Sequence, residues 1–294
     1  MKENGFEKIL SSYDNLSKSQ RKIADFIVSN LGEVVFTSVT ELGEKLDVSD
    51  ATIVRFAQAL GYSGFPELKA DLIKYYKIYL NPAERIKRYI GEAGSEELTY
   101  EGITRKEIKY LEESINTINE KTFQDAVELI CSTDNIYIFG TGSNEPLSSH
   151  LYYRLERFGL KVSLISVSGR NLFEKLLLLD KNDLMIAYAF YKPSLDFKRL
   201  SAITSERGAK LILITDSMTP PMIKNANIIL YAKRGPFGTF HSPLVPTAIT
   251  NALIIAVANR LGDRAIEYLK KLTEMRKKYY IDSTEVSPRE NNKG

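Results

Sequence analysis

The chain has 294 residues, 44% of them hydrophobic, with a formal net charge of +3. This length accommodates two domains with sizeable cores. The single cysteine, Cys131, excludes an internal disulfide framework and any multi-cysteine zinc site. No run reaches the ~18–20 consecutive apolar residues of a membrane span, and the opening MKENGFEKILSSYDN lacks the apolar centre of a signal peptide. The expectation is a cytoplasmic protein with no membrane partner.

Charge is spread evenly. Residues 1–90 carry 13 Lys and Arg against 12 Asp and Glu. A nucleic-acid reading therefore has to rest on a local face rather than on bulk charge.

Residues 1–80 read as all-helical. Ser17 and Gln20 have the spacing of a capping box, followed by Ile23, Phe26, Ile27 and Leu31 on one helical face, with Gly32 placed to end that helix. Ser38 and Glu41 form a second box, which opens a short helix with Leu42 and Leu46 inward. Ser49 is an N-cap for a further helix, in which Ile53, Phe56, Ala57 and Leu60 recur at helical spacing until Gly61. Pro66 suits the first turn of the next helix.

Pro82, Gly91 and Gly94 lie among charges and place a domain boundary near residues 81–105. Ile108, Leu111, Ile115 and Ile118 then share a helical register, as do Phe123, Val127 and Ile130. From residue 135 the texture changes. NIYIFG, KVSLISV, DLMIAYAF, KLILIT and NIILYA alternate with helical stretches. Five such alternations predict a parallel sheet with helices on both faces, and the unbroken apolar runs fit strands buried on both sides. A polar helix follows, and STEVSPRENNKG reads as a disordered tail.

Helix 38–46, the turn Asp47-Val48 and helix 50–60 have the length and pattern of a helix-turn-helix. Its second helix would present Ser49, Asp50, Thr52 and Arg55 outward. Arg55 can reach a guanine edge in bidentate fashion, and Ser49 and Thr52 can take a base or a phosphate. Tyr62, Ser63 and Lys69 are positioned to hold the DNA backbone alongside. Asp50 is repelled by phosphates unless it serves the helix end. From pattern alone the unit is either a DNA reader or a plain helical hairpin with a solvated face.

FGTGSNEP, residues 139–146, ends a strand, turns on glycine and opens a helix. The N–H groups of Gly142, Ser143 and Asn144 can form an anion site there, at the edge where open α/β sheets bind ligands. A glycine turn needed only for tight packing explains the same residues. Ser168 in SVSGRN, Lys192 and Ser194 in YKPS, and Thr215 in TDSM follow other strands at the same edge. Hydroxyls and a cation around a glycine turn suit a small polar anion such as a sugar phosphate, although turn and cap roles account for any one serine. Neither histidine has a partner at metal-ligand spacing, so no metal or cofactor is expected. His150 falls in a helix and reads as structural, and His241 lies on a loop that could reach a ligand.

The stretch from Val48 to Lys69, with its VS-x-AT-IVRF core and LGYSGFPELK tail, closely resembles the helix-turn-helix of RpiR-type transcription regulators. LSKSQRKIADFIVSN fits the same pattern, and the body from residue 135 resembles their C-terminal SIS (sugar isomerase) domain. The resemblance implies an all-α helix-turn-helix domain, residues 1–80, followed by an α/β flavodoxin-like SIS domain with a five-stranded parallel sheet. A linker over 81–105, an SIS domain with flanking helices over 106–282 and the tail 283–294 complete the division. It further implies double-stranded operator DNA and a phosphosugar or related small anion as partners, and a homodimer or tetramer. The recognition helix falls on Ser49, Asp50, Ala51, Thr52 and Arg55, and the first phosphate loop on Gly140, Thr141, Gly142 and Ser143.

One departure stands out. SIS domains usually carry Ser-x-Ser-Gly-x-Thr/Ser after the third strand, where this chain reads AFYKPS. Ala189 and Tyr191 replace the serines, Lys192 replaces the glycine, and Ser194 keeps a hydroxyl. The competing expectation is a phosphosugar isomerase or lyase on the same fold, with Glu145 or His241 as base. It requires a sugar phosphate held by the altered motif and leaves the front helices without a role. The leading expectation is a regulator without enzyme activity.

Overall fold

The computed structural model describes residues 4–235 and 240–279. The N-terminal unit comprises α1 (Gly5–Ser11), α2 (Lys18–Ser29), α3 (Leu31–Val34), α4 (Val39–Leu46), α5 (Asp50–Ala59) and α6 (Phe65–Leu80). The expected boxes form: Ser17 with Gln20 at α2, and Ser38 with Glu41 at α4. Ser49 caps α5 through the N–H of Thr52. Each satisfies N–H groups that the helix itself leaves without partners. Leu42, Leu46, Ile53, Phe56 and Leu60 are buried in one core with Ile23, Ile27 and Leu31. Gly32 does not end α2. It lies inside α3, where a Cβ would stand 2.8 Å from the Tyr76 hydroxyl. The glycine answers a close approach rather than a helix stop.

The stretch 81–105, expected as a linker, is largely helical. It holds α7 (Pro82–Glu92), a 3₁₀ turn at Ser95–Leu98 and the start of α8 (Tyr100–Ile115). Asn81 caps α7 with Pro82 in its first turn, so this proline starts a helix. Leu111 packs on the body, but Ile108 and Ile115 of the expected buried register are exposed.

The body continues with α9 (Glu120–Ser132), β1 (Asn135–Phe139), α10 (Glu145–Arg157), β2 (Lys161–Ile165), α11 (Arg170–Leu176), β3 (Leu184–Tyr188) and α12 (Leu195–Glu206). It closes with β4 (Lys210–Thr215), α13 (Pro220–Ile223), β5 (Ile228–Tyr231), α14 (Leu244–Leu261) and α15 (Asp263–Tyr279). All five strands are parallel, in the order β2-β1-β3-β4-β5. Ile136, Ile138 and Ile186 face a core closed by α9, α10 and α14, and Met185, Ala187 and Leu213 face one closed by α11 and α12. Every residue of β3 is buried, as a central strand covered on both faces requires.

Helix α14 is long and apolar enough to cross a membrane by composition, a match that a search for unbroken apolar runs does not give. Val245, Ile249, Leu253 and Val257 instead seat it on the sheet core. The tail expected over 283–294 lies outside the described residues.

Candidate functional site

Two surfaces carry the sequence-derived candidates. On the first, Asp47 takes the left-handed conformation, φ 48°, that turns the chain from α4 into α5. Gly43 makes this turn possible, since a Cβ there would lie 2.9 Å from the Val48 carbonyl and 3.0 Å from Asp50 Oδ1. The isolated glycine in ELGEKL was the available signal for that close approach.

Asp50 accepts a hydrogen bond from Thr40 Oγ1 at 3.0 Å, which ties α5 to α4. The carboxylate that phosphates would repel is thus engaged within the unit and sits at the positive end of a helix. The Ser49 and Thr52 hydroxyls lie 2.8 Å apart at the head of α5. Ala51 and Arg55 are exposed on the same helix. No hydrogen bond or ion pair holds Arg55 among the described residues, which leaves its guanidinium available to a partner.

The flanking candidates are more occupied. Lys69 donates to the Thr37 carbonyl at 2.8 Å, fixing α6 to the residue before the α4 cap. Tyr62 donates to Asp71 at 2.6 Å, and the same carboxylate accepts the Gly5 N–H at 2.7 Å. Burial, then Asp71, raises the Tyr62 phenol above its ordinary value. Ser63 gives both its N–H and its hydroxyl to Glu67. Tyr62 and Lys69, expected beside the DNA backbone, thus also hold the helical unit together. Long-range partners such as Thr37 leave no trace at the spacing of one helix.

The second surface is the C-terminal edge of the sheet. Strand order reverses between β1 and β3, so the loops that follow these two strands flank the crevice where such sheets bind ligands. On the β1 side, a Cβ on Gly140 would stand 2.5 Å from Ser148 Oγ, so the strand can enter α10 tightly only with glycine there. Thr141 precedes a 3₁₀ turn, Gly142–Asn144, that leads into α10. Gly142 has φ +59° and, like Ser143, is exposed. Asn144 Nδ2 donates to the Tyr188 carbonyl at 3.3 Å, spanning the crevice to the end of β3.

On the β3 side, Ala189, Phe190 and Tyr191 are buried, and Tyr191 holds φ +69°. Its N–H donates to the buried carboxylate of Asp216. Asp216 pairs with Arg234, whose Nη2 and Nε lie 2.8 and 2.9 Å from Oδ2. The Arg234 guanidinium stands 4.1 Å from the centroid of Phe190. Lys192 is half-buried, and burial, with a smaller contribution from Lys198, pulls its ammonium below the usual lysine value.

The remaining candidates divide. Ser168 is exposed after β2. Ser194 is exposed and caps α12 by accepting the Phe197 N–H at 3.1 Å. Thr215 is fully buried and accepts the Ser217 N–H at 3.1 Å, so its hydroxyl serves a turn and does not open to the crevice. His150 lies 2.9 Å from Asn251 Oδ1, joining α10 to α14. His241 is pulled down from 6.5 to about 4, by burial first and then by Arg234 and Arg85, which leaves a weak base at neutral pH. A cavity of about 470 Å³ opens nearby, between the turn after α1 and the loop after β4. Among the described residues its walls include Asp14, Asp216, Ser217 and Thr219 but no lysine or arginine, the wrong lining for an anion.

Residues 3–78 match the helix-turn-helix domain of the rpiR family, and residues 128–256 match the SIS domain. The chain thus carries a helix-turn-helix domain of rpiR type followed by an SIS domain. An HTH-type transcriptional regulator of Haemophilus influenzae, described as uncharacterized, is 28% identical over 230 residues, covering 77% of this chain and 79% of its own. The regulator HexR of Pseudomonas aeruginosa is 24% identical over 220 residues, covering 74% and 75%. Among solved structures, the sugar isomerase domain of an RpiR transcription factor from Sphaerobacter thermophilus aligns with a TM-score of 0.57 at 26% identity, over 60% of this chain and 99% of its own. NanR of Vibrio vulnificus, complexed with ManNAc-6P, aligns with a TM-score of 0.57 at 18% identity, over 94% and 98%, a likeness of fold.

Asp216, Arg234 and Phe190 carry no local signal in the sequence. Asp216 lies in the TDSM stretch already marked, but its partner is 18 residues away on the loop after β5, and nothing local announces the pair.

Proposed function

We propose that the protein is a ligand-responsive transcription regulator, with α5 as its DNA-reading helix and the β1–β3 crevice as its effector site. The observation that carries this reading is the pairing of a capped α5, exposed at Ala51 and Arg55, with a sheet that opens a glycine-turned crevice at its switch point. Ser49, Thr52 and Arg55 face operator DNA, Arg55 reading a base edge. Asp50 and Ala51 shape the helix start. Ser63 is the flanking residue best exposed to the backbone.

The effector is a phosphosugar or a related small anion. Gly140 and Thr141 bring the chain to the turn, and Gly142 and Ser143 offer N–H groups at the head of α10, while the Asn144 N–H is taken by the Thr141 carbonyl at 3.2 Å and its side chain lies beside them. Ser168 and Ser194 supply exposed hydroxyls. Lys192 supplies the charge that the altered AFYKPS stretch otherwise lacks. A lysine whose ammonium is disfavoured by burial gains most when an anion arrives beside it. That NanR is complexed with ManNAc-6P supports this ligand class. The low value of His241 speaks against it as the base of an isomerase.

The regulator works as a homodimer or tetramer. Ile103, Ile108 and Ile115 of α8, and Ile86 and Ile90 of α7, stay exposed in the single chain and give a second copy an apolar face to cover. Residues 1–80 and 106–282 are the two working domains, with α7 and the start of α8 between them.

Calorimetry with sugar phosphates tests the effector site. One such compound should bind, and Ser143→Ala combined with Lys192→Ala should abolish binding. Undiminished binding by the double variant would remove this crevice as the site.

A further inference from the structure

The loop that replaces the usual serine motif does more than line the crevice. Tyr191 sits on the body's β3–α12 loop, yet its ring belongs to the core of the N-terminal helical unit. It stacks on Phe6 of α1 at 5.6 Å between centroids and 22° between planes. Its centroid lies 6.2 Å from that of Tyr75 of α6, and Phe6 and Tyr75 themselves stack at 4.7 Å. The residue is 5% exposed.

Tyr191 and Asp47 are the two non-glycine residues with positive φ among the described residues. A bulky residue persists in that conformation only where its surroundings over-determine it. Two anchors do so. The aromatic stack holds the side chain, and Asp216, fixed in turn by Arg234, holds the N–H. Further contact comes from α13, which meets α2. The exposed face of α5 is not consumed by this docking, since Asp50, Ala51 and Arg55 remain open. The docked arrangement therefore sets the orientation of the DNA-reading unit and does not mask it.

We propose that Tyr191 is a coupling residue: its stacking on Phe6 and Tyr75 transmits the state of the loop 189–194 to the DNA-reading unit. This proposal rests on the reading of that loop as one wall of the effector crevice. A ligand that moves the loop must shift the ring or relax its left-handed backbone, and either change loosens α1 and α6. By linkage, a partner that reorients the helical unit changes the loop by the same free energy.

The variants are Tyr191→Gly, which removes the ring while accepting the positive φ, and Tyr191→Phe, which keeps the ring. Hydrogen exchange on the full chain is the first readout. In Tyr191→Gly, the amides of α1 should exchange at least about tenfold faster while those of β1 and β3 keep their protection. Tyr191→Phe should match the wild type. Unchanged α1 exchange in Tyr191→Gly overturns the proposal, and so does loss of β1 and β3 protection in step with α1, which would mark a general unfolding. The second readout is operator affinity with and without ManNAc-6P. Where the wild type responds, Tyr191→Gly should bind DNA but lose the response, and a retained response overturns the proposal. A wild type that binds no DNA contradicts the function proposed above, whereas the exchange result still decides the role of Tyr191.

Discussion

Arg234 and Asp216 form an ion pair that is almost sealed from solvent, with side chains 11% and 7% exposed and Nη2 2.8 Å from Oδ2. The pair joins the loop after β5 to the loop after β4 and also fixes the backbone of Tyr191. Removing one partner leaves the other charge buried alone. Arg234→Gln should therefore destabilise the chain by roughly 3–5 kcal/mol. Urea unfolding checks this, and a loss comparable to that of an exposed pair such as Arg105 with Glu101 would show that water reaches the carboxylate.

The turn between α4 and α5 depends on Gly43. Gly43→Val places side-chain atoms against the Val48 carbonyl and Asp50, both at 3.0 Å or less from the ideal Cβ. Backbone cannot move away cheaply, and overpacking of this kind costs about 1–3 kcal/mol. The variant should lose stability in the N-terminal unit and DNA affinity together. A normal melting curve with normal DNA binding would contradict the assigned turn geometry.

Much of the helical unit was legible because its signals are local. Ser17 with Gln20, Ser38 with Glu41, and Ser49 each act within one turn of their own helix. The five apolar runs likewise became five parallel strands in a two-sided core. What stayed hidden depends on distant partners. Lys69 resembles a phosphate contact until the Thr37 carbonyl is seen beside it, and Thr215 resembles a ligand hydroxyl until Ser217 closes the turn. Tyr191 could be read as a lost serine. That it enters the core of the other unit is a property of how the two pack.

Arg55 and Lys69 should respond oppositely to truncation. Arg55 is exposed, so Arg55→Ala should leave the melting temperature unchanged and weaken operator binding by about 1–3 kcal/mol. Lys69→Ala releases the Thr37 carbonyl and should lower stability, with a smaller effect on DNA than Arg55→Ala. Paired calorimetric scans and DNA titrations at matched salt separate the two, and the reverse pattern would exchange their roles.

His241 makes stability depend on pH. Its value falls from 6.5 to about 4 in the folded chain. Between these values the unfolded chain binds a proton that the folded chain refuses. Stability from this group is complete above the unfolded value and declines as pH falls from about 6.5 toward 4, by roughly 3 kcal/mol. Over that window the wild type should lose more stability than His241→Gln. Equal losses in urea titrations would show that His241 titrates normally.

In the proposed function one chain reads DNA through α5 and senses a small anion at the β1–β3 crevice. Fluorescence anisotropy tests it most directly, with a labelled duplex from the region flanking the chain's own coding sequence, titrated at fixed salt with and without a panel of sugar phosphates. Binding should be saturable, weakened by Arg55→Ala, and shifted by at least one sugar phosphate in the wild type but not in Ser143→Ala with Lys192→Ala. Binding no tighter than to unrelated duplex, untouched by Arg55→Ala and by every compound, would contradict it.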